Sequence, residues 1–181
     1  MLELAQALAN CEQDVFQGWM IAAVDVAIRG SAGHYSNTAV LQRQNRSVLL
    51  VQGRDDAGIL QKEMKVILLL PKKTEAKNTA AEKAEGKIVA EHIFSEREIA
   101  DYADYAGDEN KIHRQAHPVV PGLLLLSWLQ QELKLKKLQW QVKFLQPVYA
   151  GDRVFCLDEG GRMTAYVREM KVFVINDKLR G

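Results

Sequence analysis

The chain has 181 residues, long enough to bury a substantial core as one medium domain or two small ones. A hydrophobic fraction of 48% and a charged fraction of 26% are those of a soluble globular protein. With 24 basic against 23 acidic residues, the net charge of +1 gives no electrostatic ground for a nucleic-acid partner.

The opening stretch, MLELAQALANCEQD, has no basic n-region and carries Glu3, so it does not read as a secretory leader. The longest apolar runs, VILLL and GLLLLSWL, are too short to span a bilayer, and a cytoplasmic location with no membrane partner is expected. Cys11 and Cys156 allow at most one bridge, and Cys156 lies in an apolar strand pattern that suits a buried thiol.

In chain order, QGWMIAAVDVA opens at a glycine and reads as a helix-like apolar run. Residues 46–70, RSVLLVQGRDDAGILQKEMKVILLL, read as a strand, a turn with Gly and Asp, and a longer strand. Segment 72–87, KKTEAKNTAAEKAEGK, has no strong apolar residue and is expected as a linker, a surface loop or a short exposed helix. Residues 88–94 follow as a short strand. Ser95 as N-cap and Glu98 at N3 then form a capping box that opens a helix ending near Gly107. After a polar loop, 122–138 reads as a buried helix whose end (Lys134, Lys136, Lys137) suits the negative pole of its dipole. Strands are expected at QWQVKFLQP, RVFCLDE and MTAYVREMKVFVI, with Trp140, Val142 and Phe144 alternating inward.

The two halves resemble each other. Residues 46–70 lie on 152–176 without a gap, so that Val48 falls on Val154 and Glu-Met-Lys-Val at 63–66 falls on the same tetrapeptide at 169–172. The run after Gln17 matches PGLLLLSWLQQ nearly in register. Together these predict an internal duplication in an α+β architecture, each half a helix followed by antiparallel strands.

The loop AGDENKIH concentrates the reactive side chains. Asp108 beside His113 makes acid–base chemistry near neutral pH possible, and Asn110 offers a donor and an acceptor to hold the loop or a water. The same residue types are also ordinary turn formers, and both readings stay open on the residues alone. Pro118 and Pro121 precede Gly122, where unpaired N–H groups at the start of the buried helix suit a carbonyl oxygen that gains charge. Gly122 could equally relieve crowding there. His34, His92 and His117 read as lone histidines. Asp101, Asp104 and Asp108 with Glu109 read as a solvated acidic face, and no Cys/His spacing points to zinc. Lys134, Lys136, Lys137 and Lys143 suit either phosphates of a carrier or an ordinary charged surface.

Taken together, YAGDENKIH (105–113), PGLLLL (121–126) and FLQPVYAGDRV (144–154) resemble the MaoC-like (R)-specific enoyl-CoA hydratases and 3-hydroxyacyl thioester dehydratases of the hotdog fold. The resemblance spans about residues 88–176, and Lys111 stands where that family usually has proline. It implies an antiparallel sheet wrapped around a central helix, as a double hotdog in one chain. The halves would be a degenerate N-terminal unit (1–71), the segment 72–87, and a unit carrying the site (88–181). It implies that Asp108 and His113 are the catalytic pair. Asn110 would orient the loop or the water, and the Gly122 N–H would polarise the thioester carbonyl. The substrate would be an acyl-CoA or acyl-carrier-protein thioester, with no cofactor or metal and a possible homodimer. The alternatives are a non-catalytic acyl-thioester-binding hotdog or accessory dehydratase subunit, and behind these a thioesterase.

Overall fold

The computed structural model describes residues 1–10, 16–71 and 86–179. Cys11 and residues 72–85 of the expected linker lie outside them, and Lys87 already begins a strand.

Helix α1 (Leu2–Ala9) buries Leu4, Ala5 and Ala7. The run after Gln17, expected as a helix, is instead strand β1 (Met20–Ile28). The reason is local. Val24, Val26 and Ile28 are buried while Asp25 between them is exposed, a period of two, and β-branched side chains favour a pleated surface. Strands β2 (His34–Arg43), β3 (Arg46–Arg54) and β4 (Leu60–Leu69) follow as hairpins. β4 turns Lys62, Met64, Val66 and Leu68 inward.

In the second half, β5 (Lys87–Ile93) leads into α2 (Glu96–Ala106), whose Ser95–Glu98 capping box forms as expected. Helix α3 (Gly122–Glu132) buries Leu123, Leu125, Leu126, Ser127, Trp128 and Leu129. It is shorter than 122–138: it ends at Leu133, and Lys134 takes a left-handed φ of 51°. The three lysines therefore lie in the connector to β6 (Leu138–Phe144), beyond the helix. β7 (Arg153–Asp158) matches RVFCLDE. The last apolar segment is broken into β8 (Arg162–Val167) and β9 (Met170–Asp177) by a tight turn at Arg168, φ 55°.

The strands form one 9-stranded sheet in the order β2-β3-β4-β1-β6-β9-β8-β7-β5. Its middle is the antiparallel pair β1–β6, with Val24 opposite Val142 and Val26 opposite Trp140. Outward from that pair the order is mirrored. β1, β4, β3, β2 on one side answer β6, β9, β8, β7 on the other, and α1 precedes β1 as α3 precedes β6. The repeat is thus present in topology, but the gapless sequence match is out of step. It lays β3 on β7, whereas the equivalent of β3 is β8. The tetrapeptide 63–66 lies inside β4, while its copy at 169–172 spans the turn into β9.

One apolar cluster runs from α1 through the inward faces of both halves of the sheet to α3 and α2. Its largest fully buried side chains include Trp140, Phe173, Leu126 and Leu129. This antiparallel sheet curled on a buried helix is the hotdog arrangement, with α3 seated where its N-terminus opens toward the polar loop after α2. Cys156 is fully buried in β7, and burial pushes its thiol up to about 12. No helix of the described residues is long and apolar enough to cross a membrane.

Candidate active site

The loop between α2 and α3 is built from its first residue. Gly107 takes φ 71°, a left-handed conformation that glycine adopts without steric cost. It lets the Gly107 N–H reach the Asp104 carbonyl and the Asp108 N–H reach that of Ala103 at 2.8 Å. This 5→2 and 6→1 pair is the Schellman finish of a helix, and it fixes where Asp108 leaves α2.

Asp108 then folds its own loop, since its Oδ1 accepts from the Asn110 N–H at 3.0 Å. Asn110 is the anchor. Its Oδ1 accepts from the Gly18 N–H at 2.9 Å and from Ile112, and its amide donates to the Trp19 carbonyl at 2.9 Å. Gln17 adds two further ties: it donates to the Glu109 carbonyl and accepts the Lys111 N–H, both at 3.1 Å. A proline at 111 would have no N–H to give Gln17, so the lysine suits this brace. Asn110 accordingly holds the loop.

The short 3₁₀ turn Lys111–His113 carries the imidazole inward. His113 is buried, and its Nδ1 lies 2.6 Å from the Val119 carbonyl oxygen. A carbonyl can only accept, so the Nδ1 carries the proton and Nε2 presents its lone pair. Nε2 stands 3.5 Å from Asp108 Oδ2. That is long for a direct hydrogen bond, and two acceptors face each other there. A molecule able to donate two hydrogens, as water can, suits the gap. Burial pushes the imidazole below its ordinary 6.5, although Asp108 and the Val119 carbonyl pull it upward. His113 is therefore neutral at pH 7, which leaves it able to accept a proton.

The stretch PVYAGD positions the other side. Asp152 Oδ2 accepts from the Tyr149 N–H at 2.9 Å, while Gly151 and Ala150 donate to the carbonyls of Phe94 and Pro118. This turn holds Val119 and Val120, which bond back to Tyr149 and Val148, and so fixes the carbonyl that orients His113. At Gly122 the helix opens with Pro121 as its N-cap. A Cβ there would lie 3.1 Å from Phe144 Cζ, so the glycine does relieve crowding, against β6.

Asp108, Asn110, His113 and Gly122 all line one cavity of about 1610 Å³. The N-terminal half walls it with Leu8, Phe16, Trp19, Ile21, Leu49 and Leu68. Three participants escaped the sequence reading: Gln17, the Trp19 carbonyl and the Val119 carbonyl. Backbone acceptors leave no residue-type signal, and Gln17 sat in a run that looked helical. Away from the cavity, His92 pairs with Glu98 at 2.8 Å and His34 lies 3.4 Å from Asp56, both at the surface. Asp101 and Asp104 of the acidic face pair with Arg97 and Arg114.

No sequence-family profile matches the chain, and no characterised protein matches it by sequence. Solved structures match it by fold. HtdX from Mycobacterium tuberculosis superposes with a TM-score of 0.73 at 12% identity, covering 99% of this chain and 86% of that one. A MaoC-like dehydratase from Phytophthora capsici gives 0.60 at 14% identity, covering 89% and 72%. An acyl-ACP thioesterase from Bacteroides thetaiotaomicron gives 0.62 at 11%, covering 98% and 88%. The fold is therefore the hotdog fold of MaoC-like dehydratases and acyl thioesterases.

Proposed function

We propose that the protein hydrates trans-2-enoyl thioesters to (3R)-hydroxyacyl thioesters, and dehydrates them in reverse, with Asp108 and His113 as its acid–base pair. The pairing itself carries this reading: a buried neutral imidazole with its lone pair 3.5 Å from a carboxylate, inside a large apolar cavity. In the forward direction the water oxygen forms a bond to C3 as the C2=C3 π pair moves toward the thioester carbonyl. The water gives one proton to the pair, and C2 receives one from it, so no net proton is consumed. The Gly122 N–H at the positive end of α3 stabilises the oxygen that gains charge. The apolar wall takes the acyl chain, and the carrier is coenzyme A or an acyl carrier protein. Each half of the mirrored sheet is one hotdog-like unit, 1–71 and 88–181, with the site at their junction.

The test follows loss of enoyl absorbance from crotonyl-CoA and medium-chain trans-2-enoyl-CoAs, for wild type, Asp108→Asn and His113→Ala. Turnover by wild type, lost in both variants, supports the reading. No turnover at any chain length on either carrier favours a thioester-binding module, and release of free thiol favours a thioesterase.

A further inference from the structure

Three buried side-chain polar atoms among the described residues make no hydrogen bond: Tyr102 Oη, Trp128 Nε1 and Trp140 Nε1. Of these residues only Tyr102 lines the cavity with Asp108 and His113. Leaving a buried hydroxyl unpaired is costly, and such a group in a native structure calls for an explanation. Its polar neighbour Ser127 acts on the phenol but makes no hydrogen bond of ordinary geometry with it. Ser127, on the facing helix α3, directs its own hydroxyl to the Leu123 carbonyl at 2.7 Å. Burial pushes the phenol well above its ordinary 10.0; Ser127 pulls it partly back, and the charge of Asp108 pushes it up again. Tyr102 is thus a neutral donor whose O–H makes no hydrogen bond of ordinary geometry among the described residues.

A water between Asp108 and His113 Nε2 spends both hydrogens on those two acceptors. One of its lone pairs attacks C3, and the other is left needing a donor. Asn110 is already engaged elsewhere, its oxygen with Gly18 and Ile112 and its amide with Trp19.

Resting on the hydration reading, we infer that Tyr102 is a further catalytic residue whose O–H donates to the oxygen that joins or leaves C3. The same hydrogen bond holds the 3-hydroxyl of a hydroxyacyl thioester in the dehydration direction. It leaves saturated acyl thioesters, which have no oxygen at C3, without a contact to the phenol.

The experiment compares wild type with Tyr102→Phe, which keeps the ring and removes only the hydroxyl. Expected are a fall in kcat of about 10- to 100-fold with KM for the enoyl thioester little changed, the size of one well-placed hydrogen bond. Binding of butyryl- or octanoyl-CoA is expected unchanged, and the thermal midpoint equal or higher, since an unpaired buried hydroxyl is gone. Wild-type kinetics in Tyr102→Phe, or a lowered midpoint with unchanged kinetics, overturns the inference while leaving the hydration reading intact. Absence of turnover in wild type overturns both.

Discussion

The two halves of the sheet share a strand order and differ in what they carry. The C-terminal half holds Asp108, His113 and Gly122 on a long excursion between α2 and α3. Among its described residues, the N-terminal half has no acid–imidazole pair lining the cavity, and it contributes an apolar wall. Its second contribution is the brace. Gln17, Gly18 and Trp19, just before β1, grip Glu109, Asn110 and Lys111 through four hydrogen bonds. The grip comprises Gln17–Glu109, Gly18–Asn110, Trp19–Asn110 and Gln17–Lys111 between the halves, with Asn110–Ile112 closing the loop itself. The N-terminal half thereby supports the loop that the C-terminal half carries.

Removing the chemistry without the brace has the largest effect. His113→Ala and Asp108→Asn are expected to lower enoyl-thioester hydration by roughly 10²- to 10⁴-fold, read as kcat/KM. Removing the brace without the chemistry comes next. Asn110→Ala strips Gly18 and Trp19 of their partners, costing on the order of 2–3 kcal/mol in urea denaturation and lowering activity with it. If Asn110→Ala left stability untouched while abolishing turnover, Asn110 would belong to the chemistry and not to the support.

Gly122→Ala sharpens the junction. The new methyl group presses on Phe144, for a cost of about 1–3 kcal/mol. Gly122→Ala/Phe144→Leu restores the room; recovery of stability with activity still low separates backbone access for the substrate from crowding.

His113 brings a pH response to the site. Its folded-state pKa lies below 6.5, so the unfolded chain binds the proton more tightly. Stability is therefore complete above about pH 6.5 and falls as pH drops through the window between that value and the lower folded one. His113→Ala flattens this window, and in wild type kcat/KM falls on the acid side over a limb set below 6.5. The smallest effect lies far from the site: Ser95→Ala removes the capping box of α2 for about 1 kcal/mol, measured as a shift of the thermal midpoint with unchanged KM.

What was legible in the sequence tracks how local its physics is. The Ser95–Glu98 box, the Gly107 stop and the alternation of Trp140 and Val142 are each set by neighbours a few residues away, and each appears in the structure. The segment after Gly18 misled because Ala22, Ala23 and Ala27 dilute the alternation of Val24, Val26 and Ile28. Pairing with β4 and β6 decides it as a strand. The Arg168 turn was hidden in an apolar run with no glycine. Of the site, the four residues singled out do share a cavity. That Asn110 holds the loop was legible from its amide; that it does so through Gly18 and Trp19 was not, because these partners are backbone groups some ninety positions earlier.

The most direct test of the Asp108–His113 water is to run the reaction on a trans-2-enoyl-CoA in H₂¹⁸O and weigh the product. Hydration predicts an intact thioester carrying one ¹⁸O at C3, formed by wild type and not by His113→Ala. Free coenzyme A with ¹⁸O in a released carboxylate, or an enoyl thioester of unchanged mass, would contradict it.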